Sequence, residues 1–159
     1  MEMDLEKLKT EFGDAILDAT LAQGQGVVQV QPARLIETLR ALRDGSEWRF
    51  NFLMDIVAVD HLGESPRFEV IYILYSLEKK QRLRLKVRVE DGQELPTATE
   101  LYKSADWAER EVYDMMGIVF RGHPHLKRIL MFEGFEGHPL RKDYPVNRRQ
   151  PIPSIEEIP

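Results

Sequence analysis

The chain has 159 residues, 43% of them hydrophobic, which is enough for one domain with a real core and too few to expect two. A net charge of −5 and a pI near 5.5 argue against a general attraction to nucleic acid or anionic lipid and leave proteins or small molecules as partners. The lack of any cysteine excludes disulfides, thiolate nucleophiles, zinc–thiolate sites and cysteine-ligated iron–sulfur clusters, so any redox centre has to belong to a partner.

The first residues, MEMDLEKLKTEF, show neither a signal peptide's basic start and apolar core nor the acid-poor, arginine-rich character of a transit peptide. No run approaches the roughly 20 apolar residues of a membrane span. The expected location is therefore the cytoplasm, with attachment to a membrane complex left open. Leu5, Leu8 and Phe12 are at helical spacing, and Gly13 stops that helix. Apolar runs at 15–22 and 27–30 flank Gly24-Gln25-Gly26 and read as a hairpin. Pro32 opens a second helix striped by Leu35, Leu39 and Leu42, which ends at Asp44-Gly45. Three strands follow, at 50–59, 67–77 and 81–89, with turns too short for crossover helices, so an antiparallel meander is expected. The middle strand is almost continuously apolar, as if covered on both faces. The last alternates Leu83, Leu85, Val87 and Val89 inward with Arg82, Arg84, Lys86 and Arg88 outward. Without interleaved aromatics, that basic ladder reads as a solvated strand face rather than a nucleic-acid surface.

A loop over 91–96 leads to a helix expected at 99–116. The character then changes, because six of the nine prolines lie from Pro124 onward and no helical or alternating pattern lasts. Residues 1–120 carry 15 basic and 22 acidic groups (−7), 121–149 carry 7 and 3 (+4), and 150–159 carry 0 and 2 (−2). The expectation is an α+β single domain over 1–120, with a largely antiparallel or mixed sheet packed by helices. An extended, proline-rich tail over 121–159 should follow, disordered alone or ordered by what it lies against.

Two patterns resemble chemistry. Gly24-Gln25-Gly26 matches two glycines of a dinucleotide fingerprint, but a strand follows it, so no helix N-terminus faces a pyrophosphate. His123, His125 and His138 are ligand material, although their spacing matches no compact ligand set; a metal hydrolase built on them is the rival reading. No serine sits in a G-x-S-x-G turn. The expected helix is more informative. At about 100° per residue, Leu101, Ala105, Ala108, Val112 and Met115 share the core stripe. Glu109 and Glu111 flank that stripe, while Asp106, Arg110 and Asp114 form a ladder on the far side. Trp107 lies beside the ladder, where an exposed Trp next to ordered charge suits an interface. The tail's arginines and lysines are the expected partners of the glutamates.

Glu109-Arg110-Glu111, Asp114, Met115-Met116, His123, Lys127 and Ile129-Leu130 together resemble the signature of the 30-kDa-type subunit of proton-pumping NADH:quinone oxidoreductase, respiratory complex I. The segment from Glu136-Gly137-His138-Pro139-Leu140 through Arg141, Lys142, Asp143 and Tyr144 to Pro145 resembles the family's C-terminal region. Val59-Asp60-His61-Leu62-Gly63 with Arg67-Phe68-Glu69 resembles its strand pair. The resemblance covers roughly 50–145.

It implies a cofactor-free α+β subunit of the peripheral arm that braces the 49-kDa-type large subunit at the quinone site, with its tail running over that neighbour. NADH, FMN, the iron–sulfur clusters and quinone would reside in partner subunits, including the iron–sulfur subunits. The chain itself would have no catalytic centre, metal or membrane span, and would sit on the cytoplasmic face of a bacterial inner membrane. Interface roles are implied for Trp107, Glu109, Arg110, Glu111, Asp114, His123, Lys127, His138, Arg141, Lys142, Asp143 and Tyr144. Energy-converting hydrogenases, formate hydrogenlyase and ferredoxin- or F420-dependent relatives carry similar subunits and form the alternative.

Overall fold

A computed structural model describes residues 3–151. Strand β5 (Gln81–Val89) does what its alternation demands: Leu83, Leu85, Val87 and Val89 are fully buried and the basic residues lie on the opposite face. It forms a meander with β3 (Phe52–Asp60) and β4 (Phe68–Ser76), both pairings antiparallel as expected. The hairpin of β1 (Ile16–Ala22) and β2 (Gln25–Val30) also forms, and β2 then pairs with β5 in parallel. The sheet order is β1-β2-β5-β4-β3, mixed and largely antiparallel.

Helix α1 (Leu5–Phe12) starts where the Asp4 side chain accepts the Lys7 N–H and stops at Gly13. Helix α2 (Leu35–Asp44) follows a turn of 3₁₀ helix opened by Pro32 and buries Leu35, Leu39 and Leu42 in the same core as the sheet. One sheet face is therefore covered. The expectation that β4 is covered on both faces is corrected: Phe68, Val70, Tyr72 and Leu74 are buried, whereas Glu69, Ile71, Ile73 and Tyr75 are only partly shielded. The buried strand and helix residues belong to a single core on one side of the sheet, which leaves the other side to solvent.

Helix α3 (Ala105–Met116) begins six residues later than its periodicity suggests. The preceding residues are held as turns against β3 and the residues just before it: the Tyr102 hydroxyl donates to the Phe50 carbonyl at 2.8 Å and the Ser104 hydroxyl to the Leu53 carbonyl at 3.0 Å. Gly117 ends α3 with φ +78°, and the His138 ring lies where a Cβ would be, so both backbone and space require glycine. A short parallel pair, β6 (Leu95–Pro96) and β7 (Phe120–Arg121), closes the body. From 122 to 151 the chain makes turns, with no helix or strand among the described residues. The end of the expected tail, 152–159, lies outside them.

Candidate functional site

Asp114 is fully buried, not part of an outward ladder. Its Oδ2 accepts the backbone N–H groups of Ile129, Leu130 and Met131 at 2.8–3.0 Å, and its Oδ1 accepts Arg128 Nη1 at 2.7 Å. Burial pushes this carboxyl up, but the donations from Met131, Arg128, Leu130 and Ile129 outweigh it and hold the group below its ordinary value. Arg110 donates to the carbonyls of Lys127 and Arg128, with the Lys127 side chain left exposed. The helical wheel misplaces this face because it assumes one buried side, whereas the tail returns and buries a second.

Glu109 is also fully buried, at the centre of the inner face rather than its margin, and no tail arginine reaches it. Its Oε2 accepts the Thr97 hydroxyl at 2.6 Å and its Oε1 the Ala98 N–H at 2.6 Å. Desolvation pushes its pKa up to about 7, with the Thr97 and Ala98 donations only partly opposing. The buried Tyr72 hydroxyl has no hydrogen-bond partner among the described residues and is pushed further up by burial and by Glu109.

A second anchor holds the later tail. Arg67 donates to both oxygens of buried Asp60 at 2.8 Å and to Asp143 at 2.9 Å, while the Lys142 N–H donates to Asp60 Oδ2 at 2.8 Å. Arg141 pairs with Asp91 and, at 3.2 Å, with Asp143, and the guanidiniums of Arg67 and Arg141 stand over the Phe68 ring at 4.8 and 5.0 Å. The Arg67 hydrogen bond leads the effects that depress Asp143 to about 2. Asp143→Asn should loosen residues 141–144 by about 1 kcal/mol, since the group is half-exposed and screened. Faster tryptic cleavage after Arg141 and Lys142 would register it, and unchanged cleavage would show the pairs to be idle.

The histidines serve the backbone. His123 Nε2 donates to the Asp106 carbonyl at 3.0 Å, and its Nδ1 accepts the His125 N–H at 3.0 Å. His138 Nδ1 donates to the Asp114 carbonyl at 2.9 Å and packs edge-on against Tyr113. Among the described residues, no group of three or more histidines and acids is placed to hold a metal ion. Tyr144 stacks on Phe135 and accepts from Gln150.

What remains outward on α3 is Trp107, 68% exposed, with Glu111 beside it. Around them lie Met54, Val57, Leu130 and Leu140, all exposed, in a continuous apolar strip between α3, β3 and the tail. The residues singled out in the sequence thus separate into tail anchors (Arg110, Asp114, His123, His138, Arg141, Lys142, Asp143), a buried acid (Glu109) and an outward strip (Trp107, Glu111).

Residues 28–150 match the family described as "Respiratory-chain NADH dehydrogenase, 30 Kd subunit". The chain belongs to this family. It is 50% identical over 135 residues to a C-type NADH-quinone oxidoreductase subunit of Rhizobium etli (strain CIAT 652), covering 85% of this chain and 72% of that one. It is 49% identical over 141 residues to the C-type subunit of the same enzyme in Citrifermentans bemidjiense, covering 88% and 86% respectively. A solved trypsin-resistant fragment of Nqo5 is 35% identical, with a TM-score of 0.67, and covers 78% of this chain and 100% of the fragment. A chain of an archaeal membrane-bound sulfane sulfur reductase shares the fold at a TM-score of 0.77 and 22% identity over 90% of this chain and 85% of its own. For this family member, sequence reasoning missed Thr97 and Ala98 as the partners of Glu109, and Asp60, Arg67 and Asp91 as tail anchors. The signal available was Asp60 ending one strand and Arg67 preceding the next, which places them together across a single turn.

Proposed function

We propose that this chain is a non-catalytic scaffolding subunit in the peripheral arm of an NADH-quinone oxidoreductase, bracing the 49-kDa-type subunit beside the quinone site. It would support electron transfer from NADH to quinone coupled to proton translocation, while NADH, FMN, the iron–sulfur clusters and quinone stay in partner subunits. The observation that carries this reading is the contrast on α3. Asp114, Arg110 and the neighbouring histidines hold body and tail together and Glu109 is bonded inside the body, while Trp107, Glu111 and their apolar neighbours remain uncovered. Large exposed aromatics in an apolar patch are what a subunit interface uses. No helix among the described residues is long and apolar enough to cross a membrane. The position we propose is peripheral, on the cytoplasmic face. The tail from 121 onward would lie on the large subunit, with its net positive charge available to acidic partners.

Tagged chain purified from detergent-solubilised membranes should bring the large subunit and the iron–sulfur subunits with it, together with NADH-quinone reductase activity. Recovery of the chain alone would refute the proposal.

A further inference from the structure

Strand β3 is one of the two outer strands of the sheet, with β1 at the opposite edge. Within an edge strand, alternate residues turn their backbone N–H and C=O away from the neighbour. The His61 N–H donates to the Arg67 carbonyl, so odd positions at this end of β3 face β4 and even positions face outward. Two outward groups are already occupied: the Leu53 carbonyl accepts from Ser104, and the Ile56 N–H donates to the Asp55 carboxylate at 2.8 Å. Beyond these, the Ile56 carbonyl and both backbone groups of Ala58 have no hydrogen bond from another element among the described residues.

These free groups open into a groove. One wall is the edge of β3, and the other is α3 from Trp107 to Met115, with Leu130 and Leu140 of the tail along its length. Glu111 lines both halves of the groove and has no ion pair among the described residues, and no lysine or arginine lines either half. Natural edges are commonly guarded by lysine, proline, shortness or a bulge. Strand β3 is nine residues long with neither lysine nor proline, its register shift between Leu53 and Asp55 lies before the free groups of Ile56 and Ala58, and it exposes Phe52, Met54, Val57 and Val59.

We infer that this groove receives an extended segment of a second polypeptide, which adds to β3 as a further strand. It would pair its main chain with Ile56 and Ala58, seat alternate apolar side chains against Trp107 and Leu140, and place a lysine or arginine at Glu111. The inference rests on the scaffolding reading, since it states how a partner protein of the complex attaches.

Hydrogen exchange at the Ala58 amide tests it without mutation. That amide should exchange rapidly in the isolated full-length chain and slow by at least about a hundredfold in the assembled complex. Ala58→Pro removes only an outward N–H, so the isolated variant should unfold within about 3 °C of wild type. Its recovery with partner subunits should nevertheless fall about tenfold, and Glu111→Lys should act in the same direction. Equal exchange at Ala58 in both forms, or full retention of either variant, overturns the inference while leaving the scaffolding role intact. A cross-link from this strand to a second copy of the chain overturns the choice of occupant. Failure of the wild-type chain to bring down any other subunit defeats the scaffolding reading itself.

Discussion

Asp114→Ala is expected to strip protection from the amides of Ile129, Leu130 and Met131 by about a hundredfold, a local destabilisation of about 3 kcal/mol. The carboxylate holds three consecutive N–H groups and Arg128 from one buried position, so its removal orphans all of them at once. The β5–β4–β3 core does not depend on these bonds, so the loss should be confined to the tail. Hydrogen exchange resolved by residue separates the two cases: protection lost uniformly through β4 as well would mean that tail and body unfold together. Asp114→Asn should fall between, because an amide oxygen can keep some of the N–H bonds while the charge facing Arg128 is gone.

The second large effect depends on pH. Glu109 titrates near pH 7 in the fold, against about 4.5 when unfolded, so between those values the folded chain holds a proton that the unfolded chain has released. Stability from this group is therefore complete below about pH 4.5, declines as pH rises towards 7, and is flat above, a total on the order of 3 kcal/mol. Glu109→Gln has the same shape and can still accept from Ala98, but has nothing to titrate. Urea unfolding of both proteins from pH 5 to 8 should show the variant gaining on wild type as pH rises. Parallel curves would show that Glu109 is not protonated inside. The opposite limb belongs to Asp60, Asp114 and Asp143, whose depressed values make the tail anchors fail as pH falls below about 4 and through the folded values, about 2 in the case of Asp143.

The meander, the first hairpin and the inward face of β5 are legible from alternation because local pattern and tertiary burial agree there. The parallel pairing of β2 with β5 is not, since alternation states which way a side chain faces and not which strand lies beside it. Periodicity starts α3 too early because Leu101 continues the helical spacing, while the tyrosine and serine hydroxyls, bonded to the carbonyls of Phe50 just before β3 and Leu53 within it, favour turns. Asp114 reads as exterior for a related reason. A charged residue opposite the core stripe is normally solvated, and only the returning tail, which has no periodic signature, makes that side an interior. Trp107 is legible as outward and is so.

The scaffolding role is tested most directly by counting assembled complex and its turnover separately in a strain carrying Trp107→Ala together with Leu130→Ala. The expected result is at least about thirtyfold less assembled NADH-quinone oxidoreductase, because anchoring contacts at an interface centre are typically worth about 2 kcal/mol or more, with normal turnover per assembled complex. Normal assembly with abolished turnover would contradict it and place these residues in the chemistry instead.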